Sequence, residues 1–127
     1  MLKGIGIIKM PKKIISFGYR HGIPEDLDEG LMLDIRTIVT RNPFHIRELR
    51  KLRGDHPKVI KYMEDGSGIE GNTNLDTIYN SIKEMVVKCK GNFYIGCTGG
   101  HHRSVYIANR LGKDLDCEVI HLNYDNK

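Results

Sequence analysis

Apolar positions recur along this chain with two spacings, and the alternation between them lays out its elements. From residue 75 to 90, Leu75, Ile78, Ile82, Met85, Val86 and Cys89 return at steps of three and four, the period of one face of an α-helix. Asn74 stands where an N-cap belongs, and Gly91 where a C-terminal glycine belongs. The spacing predicts a helix over 75–90, with Cys89 turned to the core as a small hydrophobe. The same period returns over 103–115, where Val105, Ile107, Ala108, Leu111 and Leu115 form the apolar face.

Short continuous apolar runs, bounded by Gly, Pro, Asn and Asp, mark the strands. They are "KKIISF" at 12–17, "LMLDI" at 31–35, "NFYIGC" at 92–97 and "CEVIHL" at 117–122, with "GIGIIK" at 4–9 as a further partner strand. The run at 31–35 reads as a buried strand from whose end Asp34 and Arg36 emerge. Gly18, Gly22 and Pro24 punctuate the turn after the first strand and display Arg20 and His21. "RNPFHIRELRKLRGDHP" predicts a short helix at 44–52, residues 58–63 another helical turn, and the three glycines of 64–74 a surface loop. Strand, loop, helix and strand over 92–122 make a βαβ-type unit. The expected fold is a single small α/β domain over 1–127, with a mixed or mostly parallel sheet flanked by helices.

Composition narrows this picture. With 127 residues, 39% hydrophobic and 28% charged, the chain is globular and has room for one core. No apolar run approaches the ~18 residues of a membrane span, so no membrane association is expected. The opening "MLKGIGIIKMPKK" is broken by Gly and Lys and lacks a small-residue cleavage site, which argues against a signal peptide. Three cysteines (Cys89, Cys97, Cys117) without a CxxC pair suit a reducing, cytoplasmic setting. The net charge of +4 is unevenly placed. Between Arg41 and Lys61 seven cations face only Glu48 and Asp55, which makes either a solvated surface segment or an electropositive face that attracts phosphate.

The chemistry concentrates in "YIGCTGGHHRSVYIANRL" at 94–111. A loop from a strand end into a helix start carries unpaired N–H groups and the positive end of the macrodipole. Gly99 and Gly100 let successive N–H groups turn inward as an anion-binding nest. Thr98 and Ser104 add hydroxyl donors, and Arg103 a guanidinium suited to bidentate phosphate pairing. The plainer alternative is a tight βα turn. GxxxxGK[ST] does not occur, and the strand–loop–helix turn at 97–104 carries no GxGxxG, so no nucleotide cofactor of the P-loop or Rossmann kind is expected. His101 and His102 match no zinc spacing, and no metal is expected.

Cys97 and Arg103 also bracket five residues, as in phosphatases with a cysteine nucleophile. Such an enzyme needs a carboxylic acid as well, and Asp26, Asp28 and Asp34 are the candidates. Gly96 stands where that signature normally carries histidine. Three functions remain open on the residues alone. The leading one is non-catalytic binding of a small phosphorylated metabolite, a nucleotide-derived signal or a sugar phosphate. The others are an RNA-binding adapter using Arg47, Arg50 and Lys51, and a Cys97-dependent phosphatase.

"SFGYRHGIP" (16–24), "LDIR" (33–36), "RNPFHIRELRKLRGDHPKVIKYM" (41–63) and "IGCTGGHHRSVYIANRL" (95–111), in this order, resemble the C-terminal domain of the RapZ-type RNase adapter proteins. The resemblance implies a small α/β domain that forms a homo-oligomer, binds an amino-sugar phosphate (glucosamine 6-phosphate), contributes to RNA binding and is not a phosphatase. Carried over residue by residue, it implies a ligand pocket of His21, Asp34, Arg36, Thr98, Gly99, Gly100, His102, Arg103 and Ser104. The chain departs from the family in three respects. It carries no Walker motif, its ending "VIHLNYDNK" is not arginine-rich, and its 65–74 segment is glycine-rich. A free-standing sensor domain is the expectation.

Overall fold

The computed structural model describes residues 12–25, 30–65 and 75–124. The expected strand at 4–9, the cap at Asn74, most of the 64–74 loop, and Asp26 and Asp28 lie outside these residues. Four strands form one sheet: β1 (Lys13–Gly18), β2 (Leu31–Asp34), β3 (Phe93–Cys97) and β4 (Glu118–His121), in the order β2-β3-β1-β4. All the pairings are parallel. Gly18 faces Cys97, Asp34 faces Gly96, and Ser16 faces His121. A parallel sheet puts every carboxyl-terminal strand end on one side, where open α/β sheets take their ligands. Residues 18, 34, 97 and 121 therefore send their following loops to the same rim.

Three helices accompany the sheet: α1 (Pro57–Asp65), α2 (Leu75–Lys88) and α3 (Arg103–Leu115). Side chains alternate along β1 and β3 with the strand period of two. Ile14, Phe93 and Ile95 join the larger core with Met63 of α1, Ile82 and Val86 of α2, and Ile107 and Leu111 of α3. Ile15, Phe17 and Tyr94 form a smaller cluster on the opposite face. Each fully buried side chain of this size contributes roughly 1.5–3 kcal/mol. Lys12 closes the end of α2, its Nζ donating to the carbonyls of Val86 and Cys89, where a cation also meets the negative end of the helix dipole.

Two expectations need correction. The 31–35 run is not a buried strand throughout: among the described residues β2 stands at the sheet edge, paired only with β3, and its Leu31–Asp34 are half-buried or exposed, while Ile35 just beyond it is buried. The 44–52 helix does not form. Asn42 accepts the Phe44 N–H in a single 3-10 turn, Pro43–His45, and Ile46 then takes an extended conformation (φ −105°, ψ 117°) that stops propagation. From there to residue 52 the backbone runs in short i→i+3 turns, Leu49 N–H to Ile46 O and Leu52 N–H to Leu49 O. The helical turn at 58–63 is instead a full helix beginning at Pro57, a residue suited to a first helical position.

Candidate functional site

The turn between β3 and α3 is built on close backbone approach. A Cβ on Gly18 would lie 2.3 Å from the carbonyl carbon of Gly99, so the end of β1 rests directly against the loop. Gly100 has φ +78°, and a Cβ there would meet the Gly18 nitrogen at 2.7 Å. Both positions require glycine. The Arg20 N–H donates to Thr98 O (3.0 Å), and the Gly18 N–H donates to Oδ1 of buried Asn123 (2.7 Å). At the centre lies the Cys97 sulfur, which accepts the Gly100 N–H (3.3 Å) while its thiol donates to Ser104 Oγ (3.1 Å). The sulfur thus holds the loop's shape from beneath, and Cys97 is 3% exposed.

Arg103 opens α3 and is buried. Its Nη1 donates to the carbonyls of Val39 (2.8 Å) and Arg36 (3.2 Å), and its Nη2 reaches Thr98 Oγ1 (3.4 Å). One edge of the expected phosphate fork is therefore committed to the segment after β2, and the Nη2 side faces the loop. Burial pulls the Arg103 pKa down, with Cys97 and Asp34 acting in the opposite direction.

The basic segment after β2 lies across the start of α3. The Gly54 N–H donates to His101 O (2.7 Å), and a Cβ on Gly54 would strike the His102 carbonyl at 2.3 Å. His102 is buried with its Nε2 unpartnered. Desolvation lowers its pKa, against the opposing pull of the nearby backbone of Leu52, Arg50 and Leu49.

Between this segment and the glycine loop opens a cleft of about 1290 Å³. Arg20, Thr98, Gly99 and Arg103 line one side, and Phe44, Arg50, Lys51 and Arg53 also line it. The only carboxylate among the lining residues is Asp55, and it accepts the Tyr124 hydroxyl. Arg53 in turn donates to Tyr124 O and covers the Tyr124 ring at 4.4 Å. Five cations against one engaged carboxylate make the cleft electropositive.

Comparison with known proteins fits this geometry. The model of the RapZ C-terminal domain matches residues 10–126. The chain belongs to the RapZ C-terminal domain family. A nucleotide-binding protein of Clostridium perfringens is 40% identical over 120 residues, covering 90% of this chain and 39% of that protein. One of Thermoanaerobacter sp. is 42% identical over 111 residues, covering 83% and 37%, and one of Lacticaseibacillus casei is 36% identical over 107, covering 80% and 34%. The chain thus spans less than two-fifths of the length of these curated relatives.

In this RapZ C-terminal domain the expected pocket residues divide into groups. Thr98, Gly99, His102 and Arg103 line the cleft, as does the candidate nucleophile Cys97, while Gly100 and Ser104 are buried in the loop's underside. Arg50 and Lys51, which the sequence assigned to a separate basic face, line the same cleft, whereas Arg47 does not. Asp34 and Arg36 form their own pair at 2.7 Å beyond the lining, with Arg36 over the Tyr19 ring at 4.0 Å. The Arg36 hydrogen bonds hold the Asp34 carboxyl below its ordinary pKa. His21 is exposed, its ring 6.3 Å from that of His101. Sequence reasoning placed His45 and His56 in the basic 41–61 stretch without assigning them to a pocket, and passed over Phe44 and Tyr124, for which the sequence carries no pocket signal. Among the described residues no group of three His, Cys, Asp or Glu is arranged to hold a metal ion, and no helix is long and apolar enough to cross a membrane.

Proposed function

We propose that the domain binds a small phosphorylated metabolite without turning it over, and acts by sensing or sequestering it. The observation that carries this reading is the union of two features in one cleft: the donor-rich strand–loop–helix turn and the Arg50–Lys51 pair. A phosphate at Thr98 and Gly99 meets loop N–H groups, the start of α3, the Nη2 side of Arg103 and the Arg20 side chain. The family resemblance favours an amino-sugar phosphate. The names of the relatives, nucleotide-binding proteins, favour a nucleotide-derived ligand.

Non-catalytic binding is supported by the setting of Cys97. Its sulfur is occupied with Gly100 and Ser104, and the two described carboxylates nearest in role, Asp34 and Asp55, are engaged by Arg36 and Tyr124. Calorimetric titration with inorganic phosphate, together with an aryl-phosphate assay, tests the reading. Saturable binding, weakened at least several-fold by Arg20→Ala or Thr98→Val, with hydrolysis at background, is expected. Hydrolysis abolished by Cys97→Ser would replace the reading with a phosphatase.

An RNA-binding reading draws on the same observation, because Arg50 and Lys51 provide phosphate contacts within the cleft. If it holds, neutralising Arg47, Arg50 and Lys51 lowers both RNA affinity and its salt slope. Absence of salt-dependent RNA binding by the unmodified protein would remove it.

A further inference from the structure

We propose that Lys12 and Cys89 form a redox modification site, in which hydrogen peroxide joins the lysine nitrogen to the cysteine sulfur as a reversible sulfenamide. Neither residue lines the cleft, so the site is independent of the binding reading. Lys12 precedes β1, and Cys89 directly follows α2. The Lys12 Nζ donates to the carbonyls of Val86 and Cys89 and lies 3.7 Å from the Cys89 sulfur. A lysine that only capped the helix would need the carbonyls alone. Here the cap also fixes an amine beside a thiol 77 positions away in the chain. The thiol donates to Val86 O (3.5 Å), which keeps the sulfur at the same helix end.

Access separates this cysteine from the other two. Cys97 and Cys117 are buried, and the Cys97 sulfur is engaged with Gly100 and Ser104. Cys89 is half-buried and lines an open groove of about 380 Å³ between Leu31 of β2 and Ser81, Glu84, Met85 and Lys88 of α2. Peroxide reaches the sulfur through that groove. The groove's own amine, Lys88, is paired with Glu84 at 3.2 Å, so Lys12 is the amine presented to the sulfur. The chemistry balances with one peroxide. The sulfur, its proton released to solvent, attacks a peroxide oxygen and is oxidised to a sulfenic acid as the O–O bond breaks. The departing hydroxide takes a proton from the Lys12 ammonium and leaves as water. The neutral amine then attacks the sulfenic sulfur and forms the S–N bond. The sulfenic hydroxyl leaves with an amine proton as a second water, the condensation that sulfenic acids undergo with nitrogen. The product staples the approach to β1 onto the end of α2, and closing so long a loop restricts the unfolded chain.

Treating the full chain with hydrogen peroxide, followed by intact-mass measurement and peptide mapping, tests this. The expected product is lighter by two hydrogen atoms, joins the Lys12 and Cys89 peptides, and reverts with dithiothreitol. Its urea midpoint rises above that of the reduced protein. Lys12→Arg keeps donors for the two carbonyls but removes the amine, so oxidation there stops at a sulfenic acid that dimedone traps. Cys89→Ser gives neither product. Thermal melts confirm that both variants are folded. An unreactive Cys89, or one that gains only oxygen in the unmodified chain, overturns the proposal. So does a link from Cys89 to Lys88, to Lys90 or to another cysteine, and so does a loss of two hydrogen atoms at Cys89 that persists in Lys12→Arg.

Discussion

Helix α3 carries two arginines two turns apart, and they live in opposite surroundings. Arg110 donates to the Tyr106 hydroxyl and to Asp76, both at 3.2 Å, and lies 3.9 Å over the Tyr79 ring. Around it, Tyr79 donates to Asp114 (2.6 Å) and Tyr106 to Glu64 (3.0 Å). Burial, together with the neighbouring carboxylates, drives the Tyr79 pKa far up and raises that of Tyr106 to about 12. Three carboxylates and two hydroxyls surround Arg110, with Lys83 also over the Tyr79 ring, and this network joins α1, α2 and α3. Arg103 is matched by two carbonyls and a threonine hydroxyl, partners that satisfy its hydrogen bonds but not its charge. Buried polar networks are common in folded proteins. What distinguishes the cleft end of α3 is positive charge with no carboxylate hydrogen-bonded to it, beside the glycine backbone, in an open cleft.

The sharpest way to break this contrast is Arg103→Ala. On the proposed reading it removes a phosphate donor, and it leaves the carbonyls of Arg36 and Val39 without the guanidinium, so inorganic phosphate affinity should fall at least tenfold. Stability in urea titrations should fall by roughly 2–4 kcal/mol. Arg103→Lys should recover part of the affinity, since an ammonium lacks the planar fork. Full affinity in folded Arg103→Ala would make the residue a structural clamp only, no different in kind from Arg110.

Gly18→Ala tests the backbone side of the site. The new methyl would press on Gly99, costing about 1–3 kcal/mol of stability as an overpacked contact. Phosphate binding should weaken several-fold as the nest deforms. Preserved phosphate binding would show that the approach of β1 does not shape the donors.

Tyr79→Phe is the control on the other network. It should cost about 1 kcal/mol and leave phosphate titrations unchanged; a shift in phosphate affinity would mean that the two ends of α3 are coupled.

The smallest effect is on pH dependence. Burial lowers the pKa of His102 and of His121, whose ring meets Ser16 Oγ and Asn109 Oδ1 and stacks on Tyr124, with Asp55 pulling the His121 value partly back. A depressed folded-state pKa means the unfolded chain binds protons first. Stability is therefore complete above an ordinary histidine pKa of ~6.5 and declines as pH falls through that value toward the folded ones. Urea midpoints should drop between pH 7.5 and pH 5.5, and less steeply in His121→Gln. A midpoint that rises on acidification would contradict the buried neutral rings.

Elements with a complete local period were legible in the sequence. The helix expected at 103–115 is α3 to the residue, and the strand at 92–97 is β3 less one residue. The glycine loop was legible because strand, glycines, hydroxyls and arginine are contiguous. The 44–52 segment misled because Asn-Pro and Gly-Asp punctuation bounds it as it would a short helix, while Ile46, Leu49 and Leu52 are buried or half-buried in it. Their burial comes instead from i→i+3 turns packed against the rest of the fold. The joining of the basic segment to the loop was not legible either, since it depends on Gly54 meeting His101 and His102. No periodicity encodes a tertiary approach of that kind, so Arg50 and Lys51 read as a separate face.

The strand order has a consequence for the birth of the protein. β1 is nearly first in the described chain, yet its two neighbours are β3 and β4, and β2 also waits for β3. None of the four described strands pairs with the next one in sequence, so loop closure must come before any of these ladders forms, and such topologies fold slowly. On the ribosome, β1 and β2 emerge without their partners. The N–H of Gly18 finds its acceptor only when Asn123 arrives. A chain not yet extended to residue 123 therefore leaves the base of the glycine loop unfinished.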